Sequence, residues 1–235
     1  ERDFDYWEIL HNLIKKNVIK ASEWLESELS WKKGSKMITP FIDISSKEIK
    51  ACIGRMKDRD GYGLLISEEF LGWLDDAAEW MNHDVMFKRS LYMSTLDSSK
   101  DLSLWMHNNW LNWVVNHEFA HFICGHLSNE NSHEWNEFNV LPDLTESEVK
   151  LRVACEFDAD IFAATIIFGS IHLALNDERI KSIKDKYFFD IGMIFCGLFM
   201  AMDHMNPTPR THPKSIERFM VFMSRGLGEY VLLTK

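Results

Sequence analysis

His117-Glu118-Phe119-Ala120-His121 places two imidazoles four residues apart with a carboxylate beside the first. On an α-helix positions i and i+4 share a face, so both rings can serve one Zn²⁺, and Glu118, one residue round, can act as a base toward the water that such an ion activates. A second pair, Glu156 and Asp160 in Glu156-Phe157-Asp158-Ala159-Asp160, has the same spacing. Glu156 from a second helix completes a three-ligand set and leaves the fourth position open for water, as hydrolytic zinc requires. Asp160, one turn on, can accept the remaining ring N–H of a ligand histidine and fix its tautomer. Asp158, at about 100° per residue, points away toward solvent or an ion pair.

A third element is Thr211-His212-Pro213 with Arg218 beyond it. An imidazole near zinc can stabilise the oxyanion of a tetrahedral intermediate. The same His212 also reads as a loop histidine capping the helix entered at Pro213. Arg218 can hold a site carboxylate through both arms of its guanidinium, or serve structure alone. His126 reads as a capping or core histidine, because five residues past His121 it has rotated off the metal face.

These residues need helices to position them. From about Leu102 to His126 the chain carries Trp105, Trp110, Trp113, Val114, Phe119, Phe122 and Ile123, apolar nearly all round, which marks a buried helix. Imidazoles and a carboxylate in such a helix are costly unless paired or bound to metal. Thr145-Glu146-Ser147-Glu148 is a capping box that starts a second helix, running to about Leu173. Upstream, Asp5 to Trp31 fits one or two amphipathic helices, Met37 to Ile44 with Pro40 an edge strand, and Ser46 to Met56 a helix. Asp60-Gly61-Tyr62-Gly63 is a turn before a short strand at Leu64-Leu65-Ile66, and Ser67-Glu68-Glu69 opens a helix through Met81. Val85 to Thr95 leans to helix. Tyr187 to Met202, interrupted by Asp190, reads as a buried core helix, short of the roughly 20 residues a membrane span needs.

The composition bounds the rest. With 235 residues, 26 Lys plus Arg against 36 Asp plus Glu, and 46% apolar residues, the chain is globular and acidic, with a net charge of −10. That excludes a disordered chain and argues against nucleic acid as partner, since phosphate binding needs a basic face. The four cysteines have apolar neighbours and no C-x-x-C pair, and read as buried free thiols of a reducing compartment. Glu1-Arg2-Asp3 opens no secretory signal, and the missing initiator methionine leaves open that the chain is cut from something longer. No linker or repeat separates a second domain. The expectation is one compact domain, with 1–60 a helical segment packed on a core of 61–235.

Taken together, H-E-x-x-H, the E-x-x-x-D of Glu156 and Asp160, and His212-Pro213 before Arg218 resemble the gluzincin metallopeptidases. The likeness is closest to the branch of the prenyl-protein endopeptidases and the heat-shock membrane protease HtpX, and covers Tyr62 to Phe222 in patches. Lacking clear spanning segments, the chain is more similar to soluble phage-exclusion peptidases of the Lit type. The resemblance implies an α+β fold, mainly helical with a small sheet, and a zinc site between two buried helices. It implies a zinc endopeptidase with His117, His121 and Glu156 as ligands, Glu118 as general base, His212 at the transition state, and Asp160 and Arg218 behind the ligands. A cytoplasmic protein substrate and a role in phage defence follow from it. Members of the family bind extended peptide along a sheet edge, and Gly63 to Ile66 is the first candidate here. Integral membrane insertion is not expected, while peripheral membrane contact stays open. An alternative of another class is a metal-binding regulatory or antirepressor module that uses the same fold for protein binding without proteolysis.

Overall fold

The structure is a computed structural model. It describes residues 12, 15, 19, 38–43, 47–56, 61–91, 99–128, 134–136, 144–174, 184–205 and 212–233. Strands are β1 Ile38–Asp43, β2 Ala51–Arg55, β3 Tyr62–Ser67 and β4 Glu134–Asn136. Helices are α1 Glu68–His83, α2 Val85–Ser90, α3 Ser99–Ile123, α4 Glu146–Ala174, α5 Lys184–Met205 and α6 Ser215–Leu233, with a 3₁₀ turn at His126–Ser128. The described residues are thus mainly helical with one small sheet, the α+β class expected. The helices expected over Asp5 to Trp31 lie outside the described residues except at 12, 15 and 19, which are helical. Two compact units result: Glu1–Gly72 with Val114–Asn139, and Trp73–Trp113 with Val140–Lys235.

The first unit holds the sheet, in the order β1-β3-β2-β4. β3 runs parallel to β1 and antiparallel to β2, which pairs antiparallel with β4. Two expectations change here. Gly63 to Ile66 belongs to an interior strand with a neighbour on each side, so it cannot be a free edge; Leu64 and Ile66 are fully buried, as suits a central strand. Among the described residues the edges are β1, which carries Pro40, and β4. The second change is at 51–55, a strand where a helix was expected over Ser46 to Met56. Ala51-Cys52-Ile53 is a short apolar run whose type only tertiary context decides, and Ile53 is held between Leu64 and Trp135 in the two ladders. β3 feeds α1 through Ser67, whose Oγ accepts from the Phe70 N–H at 3.1 Å as an N-cap.

The second unit packs aromatic rings between long helices. Phe222 of α6 lies 4.2 Å from Phe195 of α5 and 4.8 Å from Phe168 of α4, centroid to centroid. Close approach of α6 to α4 depends on Gly226, where a Cβ would come within 2.3 Å of the Phe168 ring. Trp110 of α3 donates its indole N–H to the Ile194 carbonyl at 2.9 Å, tying α3 to α5. His107, treated as ordinary from sequence, is a buried imidazole paired with Asp75. In α5 the stretch Asp185–His204 is long and apolar enough to cross a membrane by length and composition. That is longer than the run Tyr187 to Met202 suggests, but Ile191 to Phe199 is buried or half-buried throughout, as in a core helix. Of the four cysteines, all free, only Cys52 is buried; Cys124 sits in the turn after α3 and is exposed.

The capping box at the head of α4 is formed as read. Thr145 donates through both its N–H and its Oγ1 to Glu148 Oε2 at 2.7 Å, and the Glu148 N–H donates back to Thr145 Oγ1 at 3.3 Å. The side-chain bond first, then the backbone bond, hold the Glu148 carboxyl below its ordinary range. A carboxyl lowered on folding stabilises the fold above the ordinary carboxylate range, and that contribution is lost as pH falls through the lowered value. Thr145→Ala should therefore move the Glu148 pKa upward in an NMR titration; an unmoved pKa would show that the hydroxyl does not set it.

Candidate metal centre

α3 is buried on nearly every side, and its polar residues follow it inside. His117, Glu118 and His121 are all fully buried, and Asn116 is 2% exposed. Helical spacing brings His121 Nε2 to 3.2 Å from His117 Nε2, the rings meeting edge to face at 77°. Two nitrogens on a tetrahedral zinc, each at 2.0–2.1 Å, stand about 3.3 Å apart. The helix thus presents two donors at the separation one ion needs.

α4 and α6 build a second cluster. Glu156 and Asp160 are buried on one face of α4, whereas Asp158 is exposed, as its angle requires. Arg218 donates from Nε to Asp160 Oδ2 and from Nη2 to Asp160 Oδ1, each at 2.8 Å, a two-pronged fork. Its Nη2 also lies 3.9 Å from Glu156 Oε2. The guanidinium is 5.0 Å from the Trp113 ring and 5.8 Å from the Phe199 ring, a cation–π seat that sets its plane. His212, its side chain nearly buried, has Nε2 3.7 Å from Glu156 Oε1. It does not cap α6. The helix begins at Ser215, and its first turn is capped by Glu217, whose Oε2 accepts from the Lys214 N–H at 2.9 Å.

His117, His121 and Glu156 each offer a ligand atom, and these atoms all lie within 4.8 Å of one another. This buried group could bind a metal ion: two imidazoles and a carboxylate are the donor set of catalytic zinc sites. Residues 106–227, just over half of the chain, match the family model of peptidase U49. The chain belongs to the peptidase U49 family. Membership places it among peptidases, and the matched region takes in Glu118, His212, Asp160 and Arg218 along with the three possible ligands. No curated protein and no solved structure matches this U49 peptidase.

His126, which reads from sequence as a capping or core histidine, lies beside this group. His126 is 8% exposed, and its Nδ1 lies 2.8 Å from His121 Nδ1. On an unbroken helix it would face away from His121. α3 stops at Ile123, however, and Gly125 turns the chain with φ 77° before the 3₁₀ turn begins at His126. That left-handed conformation favours glycine, so Cys124-Gly125-His126 was itself the signal of a stop rather than a continuation.

Proposed function

We propose that this chain is a zinc-dependent endopeptidase that hydrolyses peptide bonds of an intracellular protein. The observation that carries the reading is the buried turn of α3, with two histidine Nε2 atoms 3.2 Å apart and Glu118 beside them. Family membership supplies the reaction class, and four free cysteines support a reducing compartment.

His117, His121 and Glu156 would hold the ion. When bound, zinc supplies Lewis acidity toward water and toward the scissile carbonyl. Glu118, following His117 on the helix, takes the proton of the attacking water and passes it to the leaving amine. Enclosure of its carboxylate away from bulk water keeps that proton from leaking to solvent. His212, beside Glu156, would donate to the developing oxyanion. Arg218 and Asp160 would hold the α4 face from which Glu156 projects.

Metal analysis of the purified protein tests the centre. About one zinc per chain is expected, and a His117→Ala, His121→Ala double variant should lose it. Absence of stoichiometric metal from the folded wild type, even after dialysis against zinc, overturns the reading.

A further inference from the structure

We infer that His126 is the positioning partner of a metal-binding His121. The inference rests on the zinc reading above and goes beyond its three ligands. His121 has two ring nitrogens with separate neighbours: Nε2 faces His117 Nε2 at 3.2 Å, and Nδ1 faces His126 Nδ1 at 2.8 Å. A nitrogen that binds a cation must present its lone pair, so the proton of neutral His121 resides on Nδ1. That N–H then donates to His126 Nδ1, which accepts with its own proton on Nε2. The pair of tautomers is determined: no other assignment of the two neutral rings gives both a free lone pair at His121 Nε2 and a hydrogen bond at 2.8 Å.

His126 is not a fourth ligand to the same ion. Its contact is with the ring nitrogen on the far side of His121 from the His117 face, and the two rings cross at 64° with centroids 5.0 Å apart. Its job is to hold the ring plane and raise the basicity of Nε2, the part usually played by a carboxylate or a carbonyl behind a ligand histidine. An imidazole there is a weaker acceptor than a carboxylate and adds no negative charge to the centre. The turn at Gly125 brings it into place, so the backbone end of α3 and the tautomer of its last donor are linked.

Zinc affinity, measured by competition with a chromophoric chelator on the full chain, tests this without reference to proteolysis. Loss of such a partner weakens metal binding roughly 10–100-fold, and His126→Ala is expected to fall in that range. His126→Asn should recover most of the loss, because its Oδ1 stands where Nδ1 stood and can accept the same N–H. Thermal unfolding of the zinc-free proteins should not separate Ala from Asn in the way that affinity does. Equal zinc affinity of His126→Ala and wild type overturns the inference, as does an Asn variant no tighter than Ala. If Ala fails to fold, the Asn variant and the ¹⁵N chemical shifts of His121 in the zinc-loaded wild type decide: a protonated Nδ1 supports the assignment, a bare Nδ1 overturns it. Wild type that binds no zinc removes the metal reading itself, whereas zinc-binding wild type with unaffected variants removes only the role of His126.

Discussion

Glu118→Gln is expected to abolish proteolysis while leaving the metal in place. The side chain is fully buried in α3, and the amide is nearly the same size as the carboxylate, so the substitution opens no cavity. It removes the one property that the proposed chemistry needs at that position, a basic oxygen able to take a proton and return it. General acid–base catalysis contributes about 10²–10⁴-fold, and a fall of at least that size is expected. The donors His117, His121 and Glu156 are untouched, so zinc content should stay at that of wild type. A comparison of new protein N-termini in cells expressing the chain or its Glu118→Gln variant reads the result directly. Cuts made equally by both would sink the role of Glu118. Zinc retained by wild type with no cuts by either would favour the metal-binding regulatory module. One abundant protein cut at one site fits a defence role, whereas many weak cuts fit turnover of damaged proteins.

Why this residue could be singled out from sequence is instructive. Helical periodicity acts over four residues, so the spacing of His117 and His121, and of Glu156 and Asp160, is a statement about one turn of one helix. The structure needs nothing else to place each pair on a single face. The same locality made the Thr145 and Glu148 box legible, since every bond in it spans three residues. What failed was non-local. Ala51-Cys52-Ile53 is a strand because β3 and β4 lie on either side of it, and nothing inside the run says so. Gly63 to Ile66 looked available as an edge because the sequence does not show that β1 would pair with it across a break. His126 is a core histidine, as one of its two readings had it, but its contact with His121 was not legible. The periodic argument was extended past the point where the helix stops, and a left-handed glycine returns the chain in a direction that a 3.6-residue repeat cannot anticipate.

Arg218→Ala is expected to produce the largest loss of stability among single substitutions near this site. Arg218 is 2% exposed, and its two bonds end on an aspartate with no exposure at all. Removing the guanidinium leaves the buried Asp160 carboxylate without its fork, and takes one cationic group from beside Glu156, 3.9 Å from the same nitrogen. Breaking a buried pair from one side costs about 3–5 kcal/mol, because desolvation of the remaining charge is no longer offset. For a chain of this size that corresponds to a fall in Tm of roughly 6–20 °C. Contact with the Trp113 and Phe199 rings is lost as well, so the cost has an apolar component. Two further variants separate these contributions. Arg218→Lys keeps a charge but cannot make the fork, and should recover only part of the loss. Asp160→Asn combined with Arg218→Met removes both charges while filling the space, and should cost less than the sum of the single changes, the difference being the coupling of the pair. Additive effects would show that Arg218 stabilises α4 through packing alone. A coupling of a few kcal/mol would place the ion pair at the base of the helix face that carries Glu156, and would explain why the motif includes an arginine so far along the chain.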